Sequence, residues 1–258
     1  MKLVHSLIVG EGNKDLIVLH GFLGMGDNWK THAKNWATQG WRVHLIDQRN
    51  HGRSFWDTAF GYNEMAADLL NYYMAKELTS ATLLGHSMGG KVAMLFACLY
   101  PQRVEQLIVA DIAPKSYPPH HQSILNGLAS LDFSVIKSRK EADEQLANYV
   151  HEMPTRQFLL KNIYRVSPKQ LGLRMNIEVL KNVSDRVGTS LKIEHNFQGR
   201  TLFLKGALSG YIETQDELLI KHHFPAAELV TIPKAGHWLH AENPTAFAHT
   251  INSWWDVI

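Results

Sequence analysis

The residues Gly85-His86-Ser87-Met88-Gly89, followed by Gly90, have the spacing G-x-S-x-G. A serine hydroxyl becomes a useful nucleophile only when a base takes its proton and fixed N–H donors hold the oxyanion formed by attack on a carbonyl. That chemistry asks for a sharp strand-to-helix turn. Small residues let the chain close on itself, and the helix N-terminus aims its free N–H groups at the developing charge. The flanks fit: Ala81-Thr82-Leu83-Leu84 reads as a strand, and Lys91 to Tyr100 reads as a helix stopped by Pro101. In that context a merely structural Gly-Ser turn is the weaker explanation, and Ser87 is the candidate nucleophile.

Its partners are sought on the same sheet edge. One oxyanion donor is expected from the backbone N–H of Met88, the residue after the nucleophile. The second is expected from Phe22, because His20-Gly21-Phe22-Leu23-Gly24 follows the strand-like Leu16-Ile17-Val18-Leu19. His20 reads as a brace for that loop. For the base, Ala235-Gly236-His237-Trp238 follows the last strand-like run and singles out His237 among 15 histidines; His240 lies one step too far along the loop. For the acid, Asp111 ends the run Leu107-Ile108-Val109-Ala110, and the order Ser, acid, His suits such a site. The other location, after Thr201-Leu202-Phe203-Leu204, offers Gly206-Ala207-Leu208-Ser209 with no carboxylate, and Glu213 and Asp216 look like a helix start. Ser209 is expected to hydrogen-bond as an accessory group, while Leu23, His86 and Trp238 are expected to line or brace the pocket.

The elements that must position these groups follow from the alternation of short apolar runs with helical patterns, which signals a mostly parallel sheet wrapped by helices. The runs are at 16–19, 42–46, 81–84, 107–110, 201–204 and 229–232. Strands buried on both faces read as continuous apolar stretches, as these do. About 90 residues then pass between Ala110 and Thr201 without a comparable run, far more than one crossover needs. That stretch has helical spacing at Ile124, Leu125, Leu128 and Leu131, at Ala142, Leu146, Tyr149 and Val150, and at Phe158, Leu159, Ile163 and Tyr164. The expected organisation is an α/β core over residues 1–113 and 198–258, with a helical cap inserted at 114–197. Leu125, Leu128, Phe158 and Tyr164 are expected to furnish an apolar acyl slot.

Composition narrows the function. Net charge is +2, so no overall field points to nucleic acid, although Lys and Arg are in excess between Lys115 and Lys192. That excess could meet substrate phosphates, but a solvated helical face explains it as well. The opening Met1 to Gly10 is too briefly apolar for a signal peptide and reads as an edge strand, and no run is long enough to span a bilayer. The single cysteine, Cys98, sits in an apolar helical stretch and reads as a buried structural thiol. A cytoplasmic protein is expected, as a monomer or a homodimer. His120-His121 and His222-His223 lack a carboxylate or thiolate at ligand spacing, and no dinucleotide fingerprint follows a strand. Neither a metal nor a cofactor is expected. Asp47 to Ser54 reads as a loop bracing the oxyanion segment.

Together His20-Gly21-Phe22-Leu23-Gly24, Asn28-Trp29, Asp47-x-Arg49-Asn50-His51-Gly52-x-Ser54, Gly85 to Lys91, Asp111-Ile112-Ala113-Pro114 and Gly236-His237 resemble the YbfF-type bacterial esterases and their abhydrolase-domain relatives, over nearly the whole chain. The resemblance implies an α/β-hydrolase fold that hydrolyses carboxylic esters, with acyl thioesters such as acyl-CoA as a second class. It also implies a small helical cap over the acyl chain, and it supports Asp111 as the acid. The same triad serves carbon–carbon bond hydrolases and perhydrolases, and a slow-turnover ligand-binding receptor could retain it; these stay open as alternatives.

Overall fold

In the computed structural model, which describes residues 2–255, the apolar runs become strands and the periodic stretches between them mostly become helices. In chain order these are β1 (Ser6–Val9), β2 (Lys14–Leu19), α1 (Lys30–Ala37), β3 (Trp41–Ile46), α2 (Tyr62–Ala75), β4 (Ala81–His86), α3 (Met88–Leu99) and β5 (Val104–Ala110). After them come α4 (Gln122–Ala129), α5 (Arg139–Leu146), α6 (Met153–Leu160), β6 (Ile163–Ser167), β7 (Gln170–Leu173) and α7 (Ile177–Asn182). The chain ends with β8 (Thr201–Gly206), α8 (Glu217–His223), β9 (Ala227–Ile232), α9 (Leu239–Glu242) and α10 (Pro244–Trp255).

Seven strands make one sheet in the order β1-β3-β2-β4-β5-β8-β9. All neighbours run parallel except the edge strand β1, which pairs antiparallel with β3. Both faces are covered. Along β2, Leu16 and Val18 face a core built with Trp29, Trp36, Phe247 and Trp254, while Ile17 and Leu19 face a core built with Tyr72, Tyr73 and Phe96. This side-to-side alternation between two dry faces is why the strands read as unbroken apolar runs. Because β2, β4, β5, β8 and β9 all run the same way, their carboxyl ends share one edge. The loops after them gather His20 to Gly24, Ser87, Asp111, Ser209 and His237 there.

The stretch 114–197, expected as all helical, holds α4 to α7 and also a hairpin of β6 and β7 that pairs only with itself. The expected helical repeat through Ile163 and Tyr164 is therefore corrected: α6 stops at Leu160 and Ile163 begins a strand. Branched Ile163 and Val166 with Tyr164 suit a pleated surface, and Pro168 bars helical continuation at the turn. The segment is tied to the sheet at its two roots. Lys91 on α3, fully buried, donates from Nζ to the carbonyls of Lys115 and Thr189. No carboxylate among the described residues pairs with it; burial, with the nearby Lys115, pulls its ammonium down to about 7.

Candidate active site

Ser87 sits at the joint of β4 and α3 with φ +52° and ψ −119°, a strained conformation for a residue with a side chain. The joint is tight: a Cβ on Gly85 would lie 2.2 Å from the Gly89 carbonyl oxygen, so only glycine fits there. His237 Nδ1 is 2.8 Å from Asp111 Oδ2, and His237 Nε2 is 3.0 Å from Ser87 Oγ. A carboxylate only accepts, so Nδ1 carries the proton, and the neutral ring's Nε2 is left to accept from the serine hydroxyl.

Asp111 is fully buried and also left-handed, at φ +51°. Its Oδ1 accepts the Gly206 N–H at 2.9 Å, and its Oδ2 accepts the Ser209 hydroxyl as well as the imidazole. Three donors on two oxygens fix the orientation of the carboxylate. The Ser209 hydroxyl thus lies against the Asp111 carboxylate, while Glu213 joins the short turn before α8 and takes part in an ion pair with Lys115.

Met88 opens α3, so its N–H has no carbonyl one turn back. Phe22 N–H has no acceptor among the described residues. The Phe22 loop presses on the nucleophile turn, for a Cβ on Gly21 would lie 3.3 Å from the Ser87 Cβ. Its bracing is extensive. His20 Nε2 accepts Gln48 N–H at 3.0 Å, His51 Nε2 accepts Leu23 N–H at 3.2 Å, and Asp47 Oδ1 accepts Gly26 N–H at 2.7 Å. Burial pulls His20 down to about 4 and His51 to about 3, so both serve as neutral acceptors. Leu23, at φ +61°, has its carbonyl held by Asn162 Nδ2 at 2.9 Å, a contact across 139 residues.

His86 donates from Nε2 to the His237 carbonyl at 2.8 Å, and Glu242 accepts the Gly236 N–H at 2.7 Å, so the loop bearing His237 is held at both points. Burial keeps His86 well below the ordinary histidine range. Above Ser87 opens a cavity of about 370 Å³, walled by Phe22, Leu23, Ile124, Val150, Phe158 and Trp238 among others. Phe158 and Trp238, with ring centres 5.5 Å apart, also border an adjoining outer groove. The expected acyl slot is partly corrected. Phe158 lines the cavity, as does Ile124, but Leu125 and Leu128, three residues apart on one face of α4, are buried in the core. Tyr164 stands on the hairpin against Arg174.

Sequence reasoning missed Tyr211, Asn162 and Glu242. Tyr211 lies two residues beyond Ser209, and its ring stacks on the His237 ring. Nothing in the local sequence marks these residues, since each acts on a partner brought near by folding.

With this geometry, the comparisons with known proteins are specific. A family model described as the alpha/beta hydrolase fold matches residues 15–244. The sn-1-specific diacylglycerol lipase ABHD11 of Mus musculus is 34% identical, covering 98% of this chain and 85% of its own. Esterase YbfF of Escherichia coli is 32% identical, covering 93% of this chain and 92% of its own. A solved structure of a marine microorganism esterase superposes with a TM-score of 0.93 at 41% identity, over 98% of this chain and 99% of that one. The chain belongs to the α/β-hydrolase fold family.

Proposed function

We propose that this protein is a serine esterase that hydrolyses short- to medium-chain carboxylic esters through an acyl-enzyme on Ser87. The observation that carries the reading is the unbroken chain of hydrogen bonds from Asp111 through His237 to Ser87 at the floor of the cavity. Similarity to proteins named esterase and lipase supports the same chemistry.

In this mechanism His237 takes the Ser87 proton as the hydroxyl oxygen attacks the ester carbonyl, and Asp111 stabilises the imidazolium. The oxyanion rests on the N–H groups of Phe22 and Met88. Collapse expels the alcohol, which leaves with the proton from His237. Water, deprotonated by the same imidazole, then attacks the acyl-enzyme, releasing the carboxylic acid and restoring Ser87. The chain needs no cofactor for these steps. Residues 114–197 serve as a cap, since Ile124, Val150 and Phe158 on it close the cavity over Ser87.

A thioester presents the same carbonyl and belongs in the substrate panel, but a charged acyl-CoA is the less favoured form. The basic residues expected to meet its phosphates are largely engaged in the fold. Lys115 pairs with Asp216 at 2.7 Å, Arg156 with Asp143 at 2.6 Å, and Arg139 and Arg186 donate to backbone carbonyls. The wall of the cavity itself carries neither Lys nor Arg among the described residues.

The test is a rate panel of p-nitrophenyl esters of increasing acyl length, beside Ser87→Ala. A loss of about 10⁴-fold or more in the variant supports the covalent route, and residual turnover within tenfold of the parent refutes it.

A further inference from the structure

Tyr211 belongs to neither the Ser87 turn, the Phe22 loop nor the His237 loop, yet its ring lies nearest and most nearly parallel to the imidazole among the neighbouring rings. Its ring lies on the His237 ring with centroids 3.8 Å apart and planes 14° from parallel. The next nearest ring, His86, is farther and tilted, at 4.8 Å and 41°. Tyr211 is itself held at several points. Its N–H donates to Ser209 Oγ at 3.2 Å, the same hydroxyl that bonds Asp111. Its carbonyl accepts from Tyr117 Oη at 2.5 Å, and its own phenol meets His120 Nε2 at 2.5 Å. Tyr117 and His120 lie on the chain that leads from β5 into α4, next to the root pinned by Lys91.

We infer that Tyr211 is a positioning residue for the base: gripped by Tyr117 and His120, its ring fixes the imidazole plane of His237 and favours the imidazolium that forms during turnover. The inference rests on His237 being the base. An aromatic face carries negative charge density, so a cation over it is favoured more than a neutral ring is. A stacked phenol in place of an apolar wall therefore selects the form the transition state needs, while the Ser209 link keeps the acid in step with the ring.

The surroundings make this measurable. The groups facing His237 are Asp111, Ser87, His86, Tyr211 and Trp238, with His121 and His240 at longer range. Burial keeps His86 well below the histidine range, and His121 and His240 down to about 3. Burial also pushes the Tyr211 phenol up to about 12. Between pH 5 and 9 His86, His121, His240 and Tyr211 keep their charge states. Lys91, pulled to about 7 beside the Tyr117 ring, titrates in every variant alike, so the shift of the acid limb between variants, rather than the limb itself, reports the base. His120, which touches the phenol and not the imidazole, is controlled by a variant.

The experiment measures kcat/KM on a neutral p-nitrophenyl ester from pH 5 to 9. It uses the parent, Tyr211→Leu, Tyr211→Phe, His120→Gln and a variant carrying ring-fluorinated phenylalanine at 211. Fluorination keeps the shape of the ring but weakens its negative face, so it holds even if the leucine variant misfolds. Tyr211→Leu and the fluorinated ring should move the acid limb about half a unit to lower pH and cut the rate roughly three- to tenfold. Tyr211→Phe and His120→Gln remove only the outer hydrogen bond and keep the ring face, which Tyr117 and Ser209 still hold through the backbone, so they should leave the limb in place. An unmoved limb in both the leucine and fluorinated variants overturns the inference. Labelling by a fluorophosphonate, lost in Ser87→Ala, is run in parallel. If the parent is not labelled at Ser87, the underlying mechanism fails, and this inference fails with it for that separate reason.

Discussion

On the proposed mechanism, Asp111→Asn separates the electrostatic task of this carboxylate from its structural task, and the hydrogen bonds around it define the outcome. Three donors meet the carboxylate: Gly206 N–H, the Ser209 hydroxyl and His237 Nδ1–H. Asparagine offers one acceptor oxygen and an NH₂ group. Gly206 N–H cannot become an acceptor, and leaving it unpaired in a buried site would cost about 1–3 kcal/mol. The amide oxygen therefore turns to Gly206. The NH₂ then faces Ser209 and His237, both of which can reverse their roles. Ser209 accepts readily, and His237 accepts only by moving its proton from Nδ1 to Nε2. In that tautomer the nitrogen facing Ser87 is already protonated and cannot act as base. The variant should fold nearly normally, with Tm lowered by less than about 4 °C for a cost near 1 kcal/mol. Its kcat/KM should fall about 10⁴-fold, equivalent to about 5.5 kcal/mol of transition-state stabilisation. Steady-state hydrolysis of a p-nitrophenyl ester, with thermal unfolding alongside, reads both quantities. Activity within tenfold of the parent would refute the tautomer argument, and so would a large fall in Tm with activity lost only in proportion.

Two further predictions address stability. Asn162→Ala removes the donor to the Leu23 carbonyl and should cost about 1–3 kcal/mol in a urea titration, whereas an unchanged midpoint would deny that bond a role. The buried histidines set acid sensitivity: burial pulls His20 to about 4, and His51 and His240 to about 3. Each is neutral when folded but takes a proton near pH 6.5 when unfolded, so its contribution is complete above that value and is lost as pH falls toward the folded value. Each should remove about 1.4 kcal/mol per pH unit below 6.5, and a Tm that stays level from pH 7 to pH 5 would contradict this.

What the sequence determines here is local or periodic. The glycine spacing around Ser87, set between a strand-like run and a helical one, specifies a strand-to-helix turn, and the doubly apolar runs specify strands covered on both sides. The fold class and the loops that bear Ser87, Asp111 and His237 follow from those two facts, because parallel strands deliver their ends to one edge. The hairpin at 163–173 escaped that reading: a short apolar run next to a helix has no period of its own long enough to identify it. The tertiary structure alone decided which side chains meet. Leu125 and Ile124 are adjacent in sequence, but only the latter reaches the cavity. Asn162 reaches Leu23 and Tyr211 covers His237 because folding closes loops of tens to more than a hundred residues. Such contacts depend on the orientation of distant elements, which no local pattern of residue types encodes.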